Sequence, residues 1–352
     1  MRLGINLAYW STAEQAQELL TLAREADSLG YSVAWTAEAY GSDCVSTLAW
    51  ITAQTERIDI GSAIFQIPAR TPAMTAMTAA SLDALSGGRF RLGLGVSGPQ
   101  VSEGWHGVRY DNPLGRTREY VEIVKMALRR ERVVHAGKHF ELPLPDGPGK
   151  ALKLIVHPVR EQIPVYLAAV GPKNLELCGE IADGWLAIFY SAKHAAEQLA
   201  AVEKGARTAG KDGLTGFDVV PSVPLSIGPD VVACADPLRP YAALYLGGMG
   251  SREKNFYNAL ARRYGYDEGA QQVQDLFLSG DKWGAMAAVP VDFIDETSLL
   301  GPVERIAERM AEYAASGVTT LALSNPPGMP LEQQLTQLRQ AADALDKAGI
   351  GE

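Results

Sequence analysis

Apolar residues along the chain follow two rhythms. Short, nearly continuous apolar runs occupy Arg2–Leu7, YSVAWTAE from Tyr31, IDIGSAIFQIP from Ile58 and RFRLGLG from Arg89. Runs of that length and composition are what a strand buried on both faces needs. Between them, apolar positions recur every three or four residues. Ala16, Leu19, Leu20, Ala23 and Ala26 share one helical face; Ser11 with Glu14 reads as the capping box that opens this helix, and Gly30 as its stop. A second helix runs through Leu48–Thr55, and Thr71 followed by Pro72, an N-cap with proline at the first helical position, opens a third that reaches about Leu85. The alternation resumes with a strand at Pro164–Ala168, a helix at Pro172–Ala182, a strand in GWLAIFY from Gly184, a helix at His194–Ala209 and a strand in FDVVPSVPLSI from Phe217. It closes with a helix in GPVERIAERMAEYAASG from Gly301, a strand in VTTLALSNPP from Val318 and a helix over Leu331–Ala348.

Strands therefore begin near residues 2, 32, 58, 90, 164, 184, 217 and 318. A strand followed by a helix with short connections implies parallel neighbours, because parallel strands need a crossover. Eight such units predict an α/β chain folded as a single (β/α)8 TIM barrel over residues 1–352. A barrel of this kind typically takes about 250 residues. The surplus falls into an insertion after strand four, around 136–159, and a larger one between strands seven and eight, around 229–298.

Composition narrows the function. With 47% hydrophobic residues the chain can bury a large core, and its net charge of −9 disfavours nucleic acid and anionic membrane surfaces as partners. Cys44, Cys178 and Cys234 are too scattered for a disulfide framework or zinc cluster. His135 and His139 flank a turn and lack a third ligand, so no metal site is expected. The first ten residues read as a strand rather than a signal peptide, and no apolar run approaches the roughly 20 residues of a membrane span. A soluble, cytoplasmic protein acting on a small molecule is expected.

Strand four ends in Gly93-Leu94-Gly95-Val96-Ser97-Gly98, a literal G-x-G-x-x-G. In a dinucleotide-binding fold that turn follows the first strand and enters a helix at once. Here it follows the fourth, and Pro99 to Trp105 then lead into a loop reaching Pro113, with the nearest helix near Arg116. The alternative is the C-terminal mouth of a barrel, where catalytic groups collect. Gly93 then serves close packing, while Gly95 to Gly98 leave room for a flat ring against the backbone.

Several motifs agree with that reading: WTAEAYGSD after strand two, TERIDIGSAIFQIPARTPAMTA across strand three, LSGGRFRLGLGVSG across strand four, and PVYLAAVGPKN with EIADGW across strands five and six. Together they resemble the luciferase-like monooxygenase superfamily, in its branch that uses the deazaflavin coenzyme F420, and the resemblance extends over nearly the whole chain. It implies a (β/α)8 barrel that binds F420, or alternatively flavin mononucleotide (FMN), at its mouth, often as a homodimer. It implies a non-proline cis peptide backing the ring within Gly61-Ser62-Ala63-Ile64, at Ala63–Ile64. Contacts to the ring and side chain would come from Ser97, Gly98, Gln100 and Ser102; Asn6, which ends strand one, is a further cofactor-binding candidate. The cofactor phosphate would lie on Ala169, Val170, Gly171 and Pro172 at a helix N-terminus, with Lys173 adding charge. The chain departs from the alcohol-oxidising members, which carry a histidine after strand two and a glutamate after the glycine loop. Ala39 and Pro99 stand there instead.

Glu38, an ionisable side chain ending strand two at the mouth, is the first candidate for proton donor or orienting residue; Tyr40 and His106, in neighbouring loops, follow. Trp10, Phe65, Trp105, Trp185 and Phe189 are candidate pocket walls, although for each of them, Trp105 excepted, core packing is the stronger reading. Asn325, ending strand eight, also faces the expected site. The insertion at 229–298, rich in glycine and aromatics, suits a lid or a dimer surface. The expected activity is hydride transfer between reduced F420 and a small organic acceptor with an activated C=C, C=N or C=O bond. The alternatives are an FMN-dependent monooxygenase, a methylene-tetrahydropterin-type reductase, and an F420-binding protein without turnover.

Overall fold

A computed structural model describes residues 1–250 and 252–351; Ser251 and Glu352, which fall within the predicted insertion and domain bounds, lie outside it. Eight strands run parallel: β1 (Arg2–Asn6), β2 (Val33–Thr36), β3 (Asp59–Ser62), β4 (Phe90–Gly95), β5 (Val165–Ala168), β6 (Gly184–Ile188), β7 (Asp218–Ile227) and β8 (Thr320–Ser324). Each pairs with the next in chain order, and β8 pairs back onto β1, with Arg2 opposite Thr320, so the sheet closes on itself. Eight helices cover the outside: α1 (Ala13–Ser28), α2 (Cys44–Thr52), α3 (Pro72–Leu85), α4 (Pro113–Leu128), α5 (Pro172–Ile181), α6 (Ala195–Thr208), α7 (Val303–Ala315) and α8 (Leu331–Ala348).

Local chemistry places these helices. Thr71 caps α3 by accepting from the Met74 N–H, with Pro72 at the first position. Asp43 caps α2 through the Ser46 N–H. At α1 the cap is Thr12, one residue later than the expected Ser11. Thr12 takes the extended conformation of a cap and accepts from Gln15 N–H, and Ser11 instead donates to the Gln15 side chain. The stretch after the glycine turn also differs from expectation. One turn of helix, Pro99–Ser102, follows Gly98 directly, and α4 begins at Pro113 because Asn112 caps it.

Strand residues alternate between two apolar compartments. Val33, Trp35, Tyr166, Leu186, Val220 and Ala322 fill the barrel interior. Ala34, Val165, Leu167, Trp185 and Val219 point outward and join the helices in the main core. The N-terminal end of the barrel is closed by charge pairing. Asp218 accepts from Tyr166 at 2.9 Å, from Arg91 at 3.1 Å and from Thr320 at 2.8 Å, and Arg91 also binds Asp59 at 2.8 Å. The opposite end is the mouth.

Two segments depart from the barrel. Between α4 and β5 an antiparallel pair, His135–Ala136 with Glu141–Leu142, forms a small hairpin. Between β7 and α7 the chain forms several helices, among them Phe256–Arg263 and Asp267–Ser279, around a second apolar core that includes Leu246, Val273, Phe293 and Phe189. Among the described residues no helix is long and apolar enough to cross a membrane, and no three His, Cys, Asp or Glu side chains are grouped to hold a metal.

Candidate active site

The mouth is built on the ends of β3, β4 and β5. The peptide bond between Ala63 and Ile64 is cis, and Ala63 N–H donates to the Thr36 carbonyl at 2.6 Å. Ala63 and Ile64 are half-buried here. The three glycines of the strand-four motif serve different ends. A Cβ on Gly93 would sit 1.9 Å from the Ser62 carbonyl oxygen, so this glycine lets β3 and β4 approach. A Cβ on Gly95 would come within 2.9 Å of the Ile64 side chain, so Gly95 makes room for the bulge rather than for a ligand. Gly98 is different: its Cβ would meet only the Gln100 amide oxygen, at 3.4 Å. Space there is open.

After β5, Gly171 caps α5 without a side-chain hydrogen bond, and a Cβ on it would have nothing within 4 Å. Pro172 at the first position and the exposed Lys173 follow. An α-helix N-terminus free of a side-chain cap offers N–H groups and the positive end of the helix dipole to an anion. Arg263, exposed at the end of the Phe256–Arg263 helix, donates to the Val170 carbonyl at 3.3 Å and brings a second cation to this loop. Ala169 is buried, its carbonyl accepting from the Trp185 indole at 2.9 Å.

Three of the predicted residues meet through one that sequence reasoning passed over. Gln66, 3% exposed, donates from its amide to Ser97 Oγ at 2.9 Å, and its amide oxygen lies 2.9 Å from His106 Nε2. Its backbone N–H donates to Glu38 Oε1 at 2.9 Å. With the Gln66 oxygen accepting, His106 donates from Nε2. Glu38 is committed elsewhere. Both carboxylate oxygens accept from the Arg70 guanidinium, one of them at 2.9 Å. Burial works against the Arg70 charge, but the hydrogen bonds and charge of Glu38 outweigh it and hold the guanidinium above its ordinary pKa. Arg70 also lies over the Phe65 ring, 4.6 Å from its centre.

The remaining candidates divide. Ser62 Oγ both donates to the Gly93 carbonyl and accepts from the Gly93 N–H, tying β3 to β4. Ser102 is 2% exposed and donates to the Val108 carbonyl. Asn6 spans Ser222 Oγ and the Ala8 N–H, and Asn325 donates to Gln334 on α8 at 3.2 Å. Phe65 and Trp185 are fully buried in the main core, and Trp10 packs against it with its indole donating to Thr47. Phe189 lies in the second core. Tyr40, Trp105 and Gln100 are exposed around the mouth.

A closed parallel barrel with an open glycine and an uncapped helix N-terminus at its C-terminal mouth is the architecture in which barrel enzymes place their active sites. The chain belongs to the luciferase-like monooxygenase family, whose model matches residues 1–320. It is 42% identical over 330 residues to a Mycobacterium tuberculosis protein named "Putative coenzyme F420-dependent oxidoreductase", covering 92% of this chain and 95% of that one. It is 28% identical to 5,10-methylenetetrahydromethanopterin reductase of Archaeoglobus fulgidus, over 88% of this chain and 90% of the relative. Among solved structures, the coenzyme F420-dependent tetrahydromethanopterin reductase of Methanopyrus kandleri superposes with a TM-score of 0.81 at 25% identity, over 96% of this chain and 97% of that one.

Proposed function

We propose that this protein is an F420-dependent reductase, moving a hydride between reduced F420 and a small organic acceptor with an activated C=C, C=N or C=O bond. The observation that carries the reading is the open cradle at Gly98, flanked by the Ala63–Ile64 bulge and the uncapped start of α5. These residues fit a flat ring with an anionic tail, and the named activity of the 42% identical relative supports F420 as that ring. Gly98, Ser97, Ala63 and Ile64 would hold the ring, and Gly171, Lys173 and Arg263 its phosphate. When bound, the reduced deazaflavin supplies the hydride.

The chain's own residues supply position and protons. Arg70 fixes Glu38, and Glu38 fixes the Gln66 backbone after the bulge. Gln66 holds both Ser97 and the imidazole of His106. In this reading His106 takes or delivers the proton. Glu38, with both oxygens engaged, acts through Gln66 as a positioning residue. Stopped-flow oxidation of reduced F420 by an acceptor tests this division. His106→Ala should slow turnover at unchanged F420 affinity, and loss of affinity without loss of rate would overturn the assignment.

A further inference from the structure

The mouth divides into two arcs of different chemistry. The ends of β3, β4 and β5 carry the cradle, the polar network around Gln66 and the cations Lys173 and Arg263. The other arc, from the end of β6 through the insertion after β7 to the loops after β1 and β2, carries aromatic rings. Phe189 follows β6, and the rings of Tyr241 and Tyr245 lie 5.4 and 5.5 Å from it. Tyr245 stands 4.7 Å from Tyr241 and 4.8 Å from Tyr257, edge-on to the latter. Tyr9, in the loop after β1, rests its ring on Gly41, where a Cβ would come within 2.5 Å of it, and Tyr40 precedes that glycine. Tyr9 and Tyr40 are 47% and 66% exposed, while Tyr245 and Tyr257 are half-buried against the second core, so ring surface remains accessible along this arc.

The wall is uncharged in character. Burial raises the Tyr9 phenol and Tyr40 raises it further; burial pushes Tyr245 up to about 12, with Tyr9 adding to it; Tyr257 is raised by burial and then by Tyr245. The loops after β1 and β2 and the insertion after β7 adjoin around the mouth, because β7, β8, β1 and β2 are neighbours in the closed sheet. A phenol can donate a hydrogen bond to a carbonyl oxygen while its ring stacks on a flat partner.

We propose that Tyr9, Tyr40, Tyr245 and Tyr257 form the acceptor subsite, and that the acceptor is a flat, uncharged, conjugated carbonyl compound. The inference rests on the F420 reading only in calling the occupant the acceptor; the subsite itself stands on the rings. Anionic acceptors are disfavoured here because the phenols offer no counter-charge, whereas Lys173 and Arg263 stand beside the cradle. A ring held by two or more phenols gains specificity from stacking and from a single hydrogen bond, without a counter-charge.

Calorimetric titration of the purified protein with 4-phenylbut-3-en-2-one, a neutral enone, and with trans-cinnamate, its anionic counterpart, tests the proposal without turnover. The enone should bind about tenfold tighter or more. Tyr9→Ala and Tyr245→Ala should each weaken it by about two- to tenfold. Tyr245→Phe should keep the stacking part of that affinity, and a thermal melt of each variant controls for folding. Cinnamate binding as tightly as the enone, enone affinity indifferent to the variants, or no binding of either probe would overturn the proposal. The same samples are titrated with F420. Tyrosine-dependent enone binding without F420 binding would sink the cofactor reading alone, and the converse would sink this inference alone.

Discussion

Replacing Gly98 by valine separates binding from folding. The backbone at Gly98 is extended, with φ −118° and ψ 165°, a conformation that β-branched residues favour. A Cβ there meets only the Gln100 oxygen, at 3.4 Å, and Gln100 is exposed and can turn away. The cost to stability should therefore stay within about 0.5 kcal/mol, as for a surface change, which moves Tm by less than about 2 °C in a chain of this size. The valine side chain would stand where the ring lies against the backbone. Overpacking of that kind costs about 1–3 kcal/mol, or roughly 5- to 150-fold in Kd. Gly93→Ala supplies the contrast: its Cβ would lie 1.9 Å from the Ser62 carbonyl, backbone against backbone, so β3 and β4 would have to separate. It should lose about 3 kcal/mol or more of stability. Thermal melts and F420 fluorescence titrations of both variants read the two effects. A Gly98→Val protein that folds and binds F420 like the parent would place the ring elsewhere. One that melts far below the parent would show that Gly98 is needed for packing.

Other consequences follow from the same geometry. Glu38 and Arg70 have side-chain exposures of only 9% and 14%, so Arg70→Met should strand a buried carboxylate and cost about 3–5 kcal/mol in urea unfolding, largely recovered when Glu38→Gln is added. Tyr120 and Tyr245 are raised by burial to about 12 in the folded state. Above pH 10 the unfolded chain releases protons that the folded chain keeps, so stability should fall as pH rises from about 10 toward 12, and absorbance at 295 nm should show these phenols ionising only as the protein unfolds. Arg263→Ala should weaken F420 binding several-fold at low salt, with the difference shrinking near 1 M salt as screening removes the cation's contribution. Leu144, Leu152 and Ile155 in the insertion after α4 are 68%, 77% and 88% exposed. If the homodimer that the family resemblance implies covers them, sedimentation should give twice the chain mass, and Ile155→Glu should lower it.

The barrel was legible because its elements obey local rules. Thr71-Pro72 opens α3 where cap chemistry places it, and the strands are short apolar runs that alternate with helical patterns. The start of α1 was misplaced by one residue because Ser11 and Thr12 each precede a suitable partner at the third position, Glu14 and Gln15, and only the backbone conformation chooses between them. Side-chain direction in the strands was not legible. Trp185 joins the main core while its neighbour Leu186 enters the barrel interior, and a strand apolar on both faces hides that phase. The Glu38 pairing was also hidden, since Arg70 lies 32 residues away and only the tertiary fold brings it near. Gln66 had a faint signal: it is the one polar residue in the apolar run AIFQIP, and a buried amide needs partners.

The most direct test of the account is a titration of the purified protein with F420 and, separately, with FMN, followed by fluorescence. The account predicts saturable, preferential binding of F420, weakened by Gly98→Val. Preferential binding of FMN, or binding of neither, would contradict it.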